Sequence, residues 1–110
     1  MRTAAVFAAA ALIAGCAGTP RGITFLGDAE RFAPGIASTP WSDARLTIAP
    51  DGNTALWFSR TRPGGPGSYD IWMSRRASGH WQPAMPAPFN SSARDFDPAF
   101  SADGPVVYFC

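Results

Sequence analysis

The chain has 110 residues, of which 46% are hydrophobic, 13% aromatic and only 15% charged, a balance that allows one small folded domain and argues against disorder. All nine basic residues are arginine and eight acidic residues oppose them; a chain this close to neutral has no field with which to gather phosphates, so nucleic acid is excluded as the expected partner. Eleven Gly and eleven Pro are too many for a helical bundle and suit short strands joined by tight turns.

At the N-terminus, Arg2 precedes an Ala-rich apolar stretch over residues 4–14. A helix that crosses a bilayer takes about 20 apolar residues, so this one is too short for an anchor and reads as a helical signal segment, residues 1–15. Its removal takes Arg2 with it and leaves eight basic against eight acidic residues. Ile13-Ala14-Gly15-Cys16 resembles the bacterial lipobox. That resemblance implies that Cys16 becomes the first mature residue, carries acyl chains and tethers the protein to a membrane of the cell envelope, facing the periplasm or the exterior. Several buried acyl chains at about 0.8 kcal/mol per CH₂ make such a tether essentially permanent. Ala17 rather than Asp follows, which under the sorting rule of enteric-type bacteria permits transfer to the outer membrane. Cys110 is then a single thiol; a Cys16–Cys110 disulfide is the alternative in an oxidising compartment, although two cysteines make no framework.

Residues 16–40 read as a linker, small and polar, with short strands expected at Ile23-Thr24-Phe25-Leu26 and over Phe32–Ile36. From Trp41 onward the pattern sharpens. Arg45-Leu46-Thr47-Ile48 alternates polar and apolar as a half-buried strand does. Pro50-Asp51-Gly52-Asn53 is a turn in which Pro sets φ, Asp bonds its own backbone and Gly accepts positive φ. Thr54-Ala55-Leu56-Trp57-Phe58 is β-prone and almost continuously apolar. The loop 61–68 (TRPGGPGS) separates it from a third strand, Tyr69-Asp70-Ile71-Trp72-Met73-Ser74, and Ala77-Ser78-Gly79 turns into a brief fourth at His80-Trp81-Gln82, stopped by Pro83 and Pro86.

Then the pattern restarts. Asp95 to Gly104 can be laid against Asp43 to Gly52, with Asp51 and Asp103 lying 52 positions apart, and Val106-Val107-Tyr108-Phe109 matches Ala55-Leu56-Trp57-Phe58 once one residue is deleted after the second Gly. A period of this length holding four strands predicts a propeller blade; chance similarity between two hairpins is the alternative. Blades stack face to face, so their inner strands are covered on both sides and read as unbroken apolar runs, as Thr54–Phe58 and Val106–Phe109 do.

Ile48-Ala49-Pro50-Asp51-Gly52…Leu56-Trp57-Phe58-Ser59 and Phe100-Ser101-Ala102-Asp103-Gly104…Tyr108-Phe109 resemble the F-S-P-D-G-x-x-L-Y-F core of the PD40, or WD40-like, repeat of TolB-like periplasmic proteins. Tyr69-Asp70-Ile71-Trp72-Met73-Ser74-Arg75…Gly79-His80-Trp81…Pro83 resembles that family's third and fourth strands, and Asn90-Ser91…Asp95…Asp97-Pro98 its link into the next blade. The resemblance covers residues 41–110. It departs at Ala102, where the family has Pro, at the extra residue after Gly52 and at Pro105. It implies an all-β fold, a partial β-propeller of about one and a half four-stranded blades. Propellers have 4–8 blades and need roughly 200–400 residues, so the 95 residues from Cys16 to Cys110 are expected to be a piece of a longer protein or a truncated reading frame.

Catalytic constellations are poorly supported. There is one histidine, His80, no G-x-S-x-G elbow, and no usual ligand set for zinc. Gly64, Gly65 and Gly67 before Ser68 only faintly suggest a phosphate loop, because Lys is absent and no helix follows; a flexible hairpin tip is the simpler reading. Asp95 and Asp97 form a pair of carboxylates, as glycosidases require, but beside a strand start they are expected to bond turn amides. Ser101-Ala102-Asp103-Gly104 places Gly one residue early for a sialidase Asp-box. Trp57, Trp72 and Trp81 could form a carbohydrate platform, yet their positions within strands favour the core.

The expected function is therefore non-catalytic, with no cofactor and no metal: binding or scaffolding at the envelope, with a protein or polymer as partner. TolB-like proteins bind partners through loops at one propeller face, which directs attention to Trp41, Asp43, Asn90, Arg94, Asp95 and Asp97. The rival expectation is the propeller domain of a hydrolase, of serine peptidase or glycosidase type, whose catalytic part lies outside this chain.

Overall fold

The computed structural model describes residues 22, 24 and 26–110. The signal segment at 1–15, Cys16, and Ile23 and Phe25 of the first expected strand lie outside them. Among the described residues the fold is all-β without a helix, and the main sheet curls into a half-barrel.

Strand β1 (Ser42–Ile48) pairs antiparallel with β2 (Thr54–Arg60), and β2 pairs over its whole length with β3 (Tyr69–Ala77). The β1–β2 turn is built as its residues require. Asn53 N–H donates to Asp51 Oδ1 at 2.9 Å, Gly52 N–H donates to Ala49 O at 2.8 Å, and Gly52 takes φ +74°, where a Cβ would be strained. Strands β4 (His80–Trp81) and β5 (Met85–Pro86) both lie on the outer edge of β3. They are one edge strand interrupted near Pro83. The strand extends beyond the expected His80-Trp81-Gln82, because proline weakens a strand signal in sequence yet is tolerated on an edge where no partner needs its missing N–H. The meander thus runs β1-β2-β3-β4, with β5 continuing the fourth position.

Alternation along β2 and β3 sends side chains to two separate clusters. Ala55, Trp57 and Trp72 face one side, where Ala37, Phe32, Ile36, Trp81 and Ala84 cover them. Leu56, Ile71 and Met73 face the other, covered by Ala87, Phe58, Phe100 and Val107. This two-sided cover explains the unbroken apolar runs. Residues 32–38 form a tight loop rather than a strand: Ile36 and Ala37 N–H both donate to Ala33 O, and a single bridge joins Pro34 to Ser38. Arg62 clamps this loop to the sheet, donating from Nη1 to Ile36 O at 2.9 Å with its guanidinium 4.3 Å from the Trp72 ring centre.

The last element is a hairpin of β6 (Ala99–Phe100) and β7 (Val107–Tyr108), extended by reciprocal 2.9 Å bonds between Phe96 and Cys110. It lies against the second face of the main sheet, with Phe100 N–H directed to Thr47 Oγ1 at 3.4 Å. The two Asp-Gly turns sit side by side, so that a Cβ on Gly104 would come 3.1 Å from Pro50 Cδ.

Candidate functional site

The two hairpins share their backbone turn bonds and pairing at a constant offset of 52. Ala49 N–H donates to Thr54 O and Gly52 N–H to Ala49 O, as Ser101 N–H does to Val106 O and Gly104 N–H to Ser101 O. Thr47 faces Leu56 and Ile48 faces Ala55, as Ala99 faces Tyr108 and Phe100 faces Val107. The one-residue deletion inferred from the apolar runs is therefore absent. Pro105 stands at the place of Asn53, and Val107, Tyr108 and Phe109 answer to Ala55, Leu56 and Trp57.

The equivalence extends upstream, where Asp95 bonds a turn amide as expected and Asp43 does the same in the first unit. Thr39 N–H and Oγ1 both donate to Asp43 Oδ2, and Thr39 Oγ1 accepts the Trp41 N–H. Fifty-two residues on, Ser91 N–H and Oγ donate to Asp95 Oδ2 at 2.6 and 2.9 Å, and Ser91 Oγ accepts the Ala93 N–H. Each carboxylate thus staples the loop that enters its first strand. Immediately after comes a bulge in which Arg45 and Leu46 oppose the single residue Trp57, with Arg45 at φ +57°; Asp97, its counterpart, has φ +53°. Arg45 Nε and Asp97 Oδ1 then meet at 3.3 Å, so that equivalent positions of the two units touch.

Of the six residues expected to bind a partner, four are engaged within the chain. Asp43 and Asp95 are the staples and Asp97 holds Arg45. Asn90 caps β3, its Oδ1 accepting the Ile71 N–H and its Nδ2 donating to Ile71 O, both at 2.8 Å. Trp41 and Arg94 remain exposed. Arg94 is one of two guanidiniums beside Tyr69, at 5.2 Å, with Arg60 at 5.1 Å; Phe58 stacks on Tyr69 and Phe96 meets both rings edge-on. Register brings this group together across three chain segments, since Arg60 faces Tyr69 and Tyr69 bridges to Arg94.

On the opposite face, one row of the sheet is polar. Asp43 faces Ser59 and Ser59 faces Asp70. Ser59 is 1% exposed and Asp70 2%. Asp70 Oδ1 accepts the Gly67 N–H at 2.8 Å, whereas Ser59 Oγ and Asp43 Oδ1 are buried without a partner. In loop 61–68, expected as a hairpin tip, two glycines are required by close neighbours: a Cβ on Gly65 would overlap the Asp70 carboxylate, and one on Gly67 the Ala93 carbonyl. Asp43 also lines a cleft of about 250 Å³ with Phe32, Ser38, Arg45, Leu46 and Trp57, and an adjoining one of about 660 Å³ that reaches Trp41 and Arg31. The Trp57 and Trp72 indoles, read as core, are core; both Nε1 atoms are buried without a partner.

His80 and Cys110 are exposed, and among the described residues no three His, Cys, Asp or Glu side chains gather into one group. A scan of protein-family models, a search of curated proteins and a search of solved structures each return no match to this chain.

Proposed function

We propose that this chain is a non-catalytic scaffold of PD40 β-propeller type, tethered to a membrane of the cell envelope through acylated Cys16 and presenting a surface to an envelope protein or polymer. The observation that carries the reading is the repeat. Staple, bulge, turn and pairing recur at 52 residues, and the second unit lies on a sheet face of the first. Architectures built from blades or repeats need each unit to bury its apolar face on a neighbour in this way. The exposed Trp41 and the Arg60–Tyr69–Arg94 group supply the aromatic and arginine side chains in which binding surfaces are enriched.

Two measurements on cells producing the full chain test it. Radiolabelled palmitate should enter the wild-type chain and not Cys16→Ala, with the wild type in the membrane fraction. A photoreactive side chain at position 41 or 94 should yield a discrete crosslinked product that the same group at position 51, in the exposed turn, does not. A chain without label that fractionates away from membranes, or crosslinks no more specifically from 41 and 94 than from 51, overturns the proposal.

A further inference from the structure

We infer that Arg60 and Arg94, placed about the ring of Tyr69, form a clamp for the carboxylates of an acidic segment on a partner protein. The inference rests on the scaffold reading above and gives the partner its chemistry. Cross-strand pairing sets Arg60 opposite Tyr69, and a single bridge from Tyr69 brings in Arg94 from the link between the two units. The two guanidinium carbons lie 5.1 and 5.2 Å from the Tyr69 ring centre, so the charges stand no more than about 10 Å apart. The screening length at physiological salt is about 8 Å, so they still repel each other.

The chain offers these charges no counter-charge. All eight acidic residues lie among the described residues, and the one ion pair they make there is Arg45–Asp97. The carboxylates next in sequence to Tyr69 and Arg94 are those of Asp70 and Asp95; both are buried and bonded, one to the Gly67 amide and the other to Ser91. Arg60 and Arg94 are exposed. A guanidinium over an aromatic ring is attracted by the ring face and keeps a fork of N–H donors for a carboxylate. Beside the charges, Phe58, Tyr69 and Phe96 make a half-buried aromatic cluster, so the surface suits an acidic side chain that has an apolar neighbour. Arg, Tyr and Phe are the side chains enriched where proteins meet proteins. An anionic membrane is held by clusters of about 4–8 cations, a field that a chain of net charge +1 lacks.

The chain has two tyrosines, Tyr69 and Tyr108, so fluorotyrosine built into the full chain gives two ¹⁹F resonances, assigned with Tyr108→Phe. The probe is a Glu-Phe-Glu peptide blocked at both ends. It should shift the Tyr69 resonance saturably, with a midpoint of about 1 mM or below at low salt, and leave that of Tyr108, outside the group, in place. A Gln-Phe-Gln analogue should shift neither. Arg60→Gln and Arg94→Gln should each weaken binding about two- to fivefold, the range for one exposed ion pair. Arg75→Gln, on an exposed arginine at the far end of β3 opposite Thr54, should bind as wild type. A flat titration up to about 10 mM, tenfold above the expected midpoint, overturns the inference. So does equal binding of the Gln-Phe-Gln peptide, wild-type binding by either clamp variant, or an equal loss in Arg75→Gln. Tighter saturation of the same resonance by polygalacturonate or by phosphatidylglycerol vesicles overturns it in favour of a polymer or a membrane. The scaffold reading is judged separately: a flat titration beside a specific crosslink from position 94 overturns the acidic segment alone.

Discussion

The first unit and the second use one set of local instructions and arrive at different burial. Staple, bulge and Asp-Gly turn are the same at Thr39–Ile48–Thr54 and at Ser91–Phe100–Val106. Yet Leu56 and Trp57 are almost wholly buried, whereas their counterparts Tyr108 and Phe109 are 64% and 43% exposed. The difference is β3. Strand β2 has it along its whole edge, and β7 has no third strand beside it among the described residues. Hydrogen-bonded geometry here is written within about 20 residues of chain, and burial depends on the neighbour that long-range pairing supplies.

That contrast is sharpened most by truncating the paired aromatics. Trp57→Ala should destabilise by about 3–5 kcal/mol, the range for emptying a large core site. Phe109→Ala, at the same place in the second unit, should cost about 1 kcal/mol or less, in line with its smaller buried area. Denaturant melts of the two variants would show it, and similar costs would contradict the asymmetry. The turn glycines come next. Gly52→Ala forces an L residue into the left-handed region, at about 1–2 kcal/mol, and Gly104→Ala should cost more, because its new Cβ would also crowd Pro50. The reverse order in thermal melts would remove the side-by-side placement of the turns.

Smaller effects test the sameness of the units. Thr39→Ala and Ser91→Ala each delete a hydroxyl that donates to a carboxylate and accepts a backbone N–H, and each should lose about 1–2 kcal/mol. Urea midpoints lowered by one variant and untouched by the other would break the equivalence. Smallest is the bridge between units. The Arg45 side chain is 71% exposed and that of Asp97 37%, so a double-mutant cycle should give about 0–1 kcal/mol, fading at high salt.

Much of the fold is legible in the sequence where the signal is local. The continuous apolar run at 54–58 and Pro50-Asp51-Gly52 declare a strand and a turn, and the second Asp-Gly corner declares the repeat. What escapes is what depends on pairing between distant segments. Val106–Phe109 slides against Ala55–Phe58 with equal hydrophobic fit, so hydropathy aligned it one residue early; only the hydrogen bonds set the register. Asp95 holds a turn amide, as its place beside a strand start predicts, whereas Asp97 pairs with Arg45 instead; Asp43 and Asn90 read as partner-binding groups because polar residues near loops look alike, whether they face water or hold a backbone amide. The spacing of Thr39 to Asp43, repeated from Ser91 to Asp95, was the available clue to the staples. Nothing local marks Ser59 and Asp70 as neighbours of Asp43, since three strands must pair before the row exists.

The register of the second hairpin tests the structural repeat most directly. In a ¹⁵N-labelled sample of the full chain, cross-strand nuclear Overhauser effects and through-hydrogen-bond couplings should pair Phe100 with Val107 and Ala99 with Tyr108, with the Ser101 amide bonded to the Val106 carbonyl. Pairing shifted by one residue, with Phe100 opposite Val106, would contradict a constant 52-residue repeat and return the second unit to mere likeness of sequence.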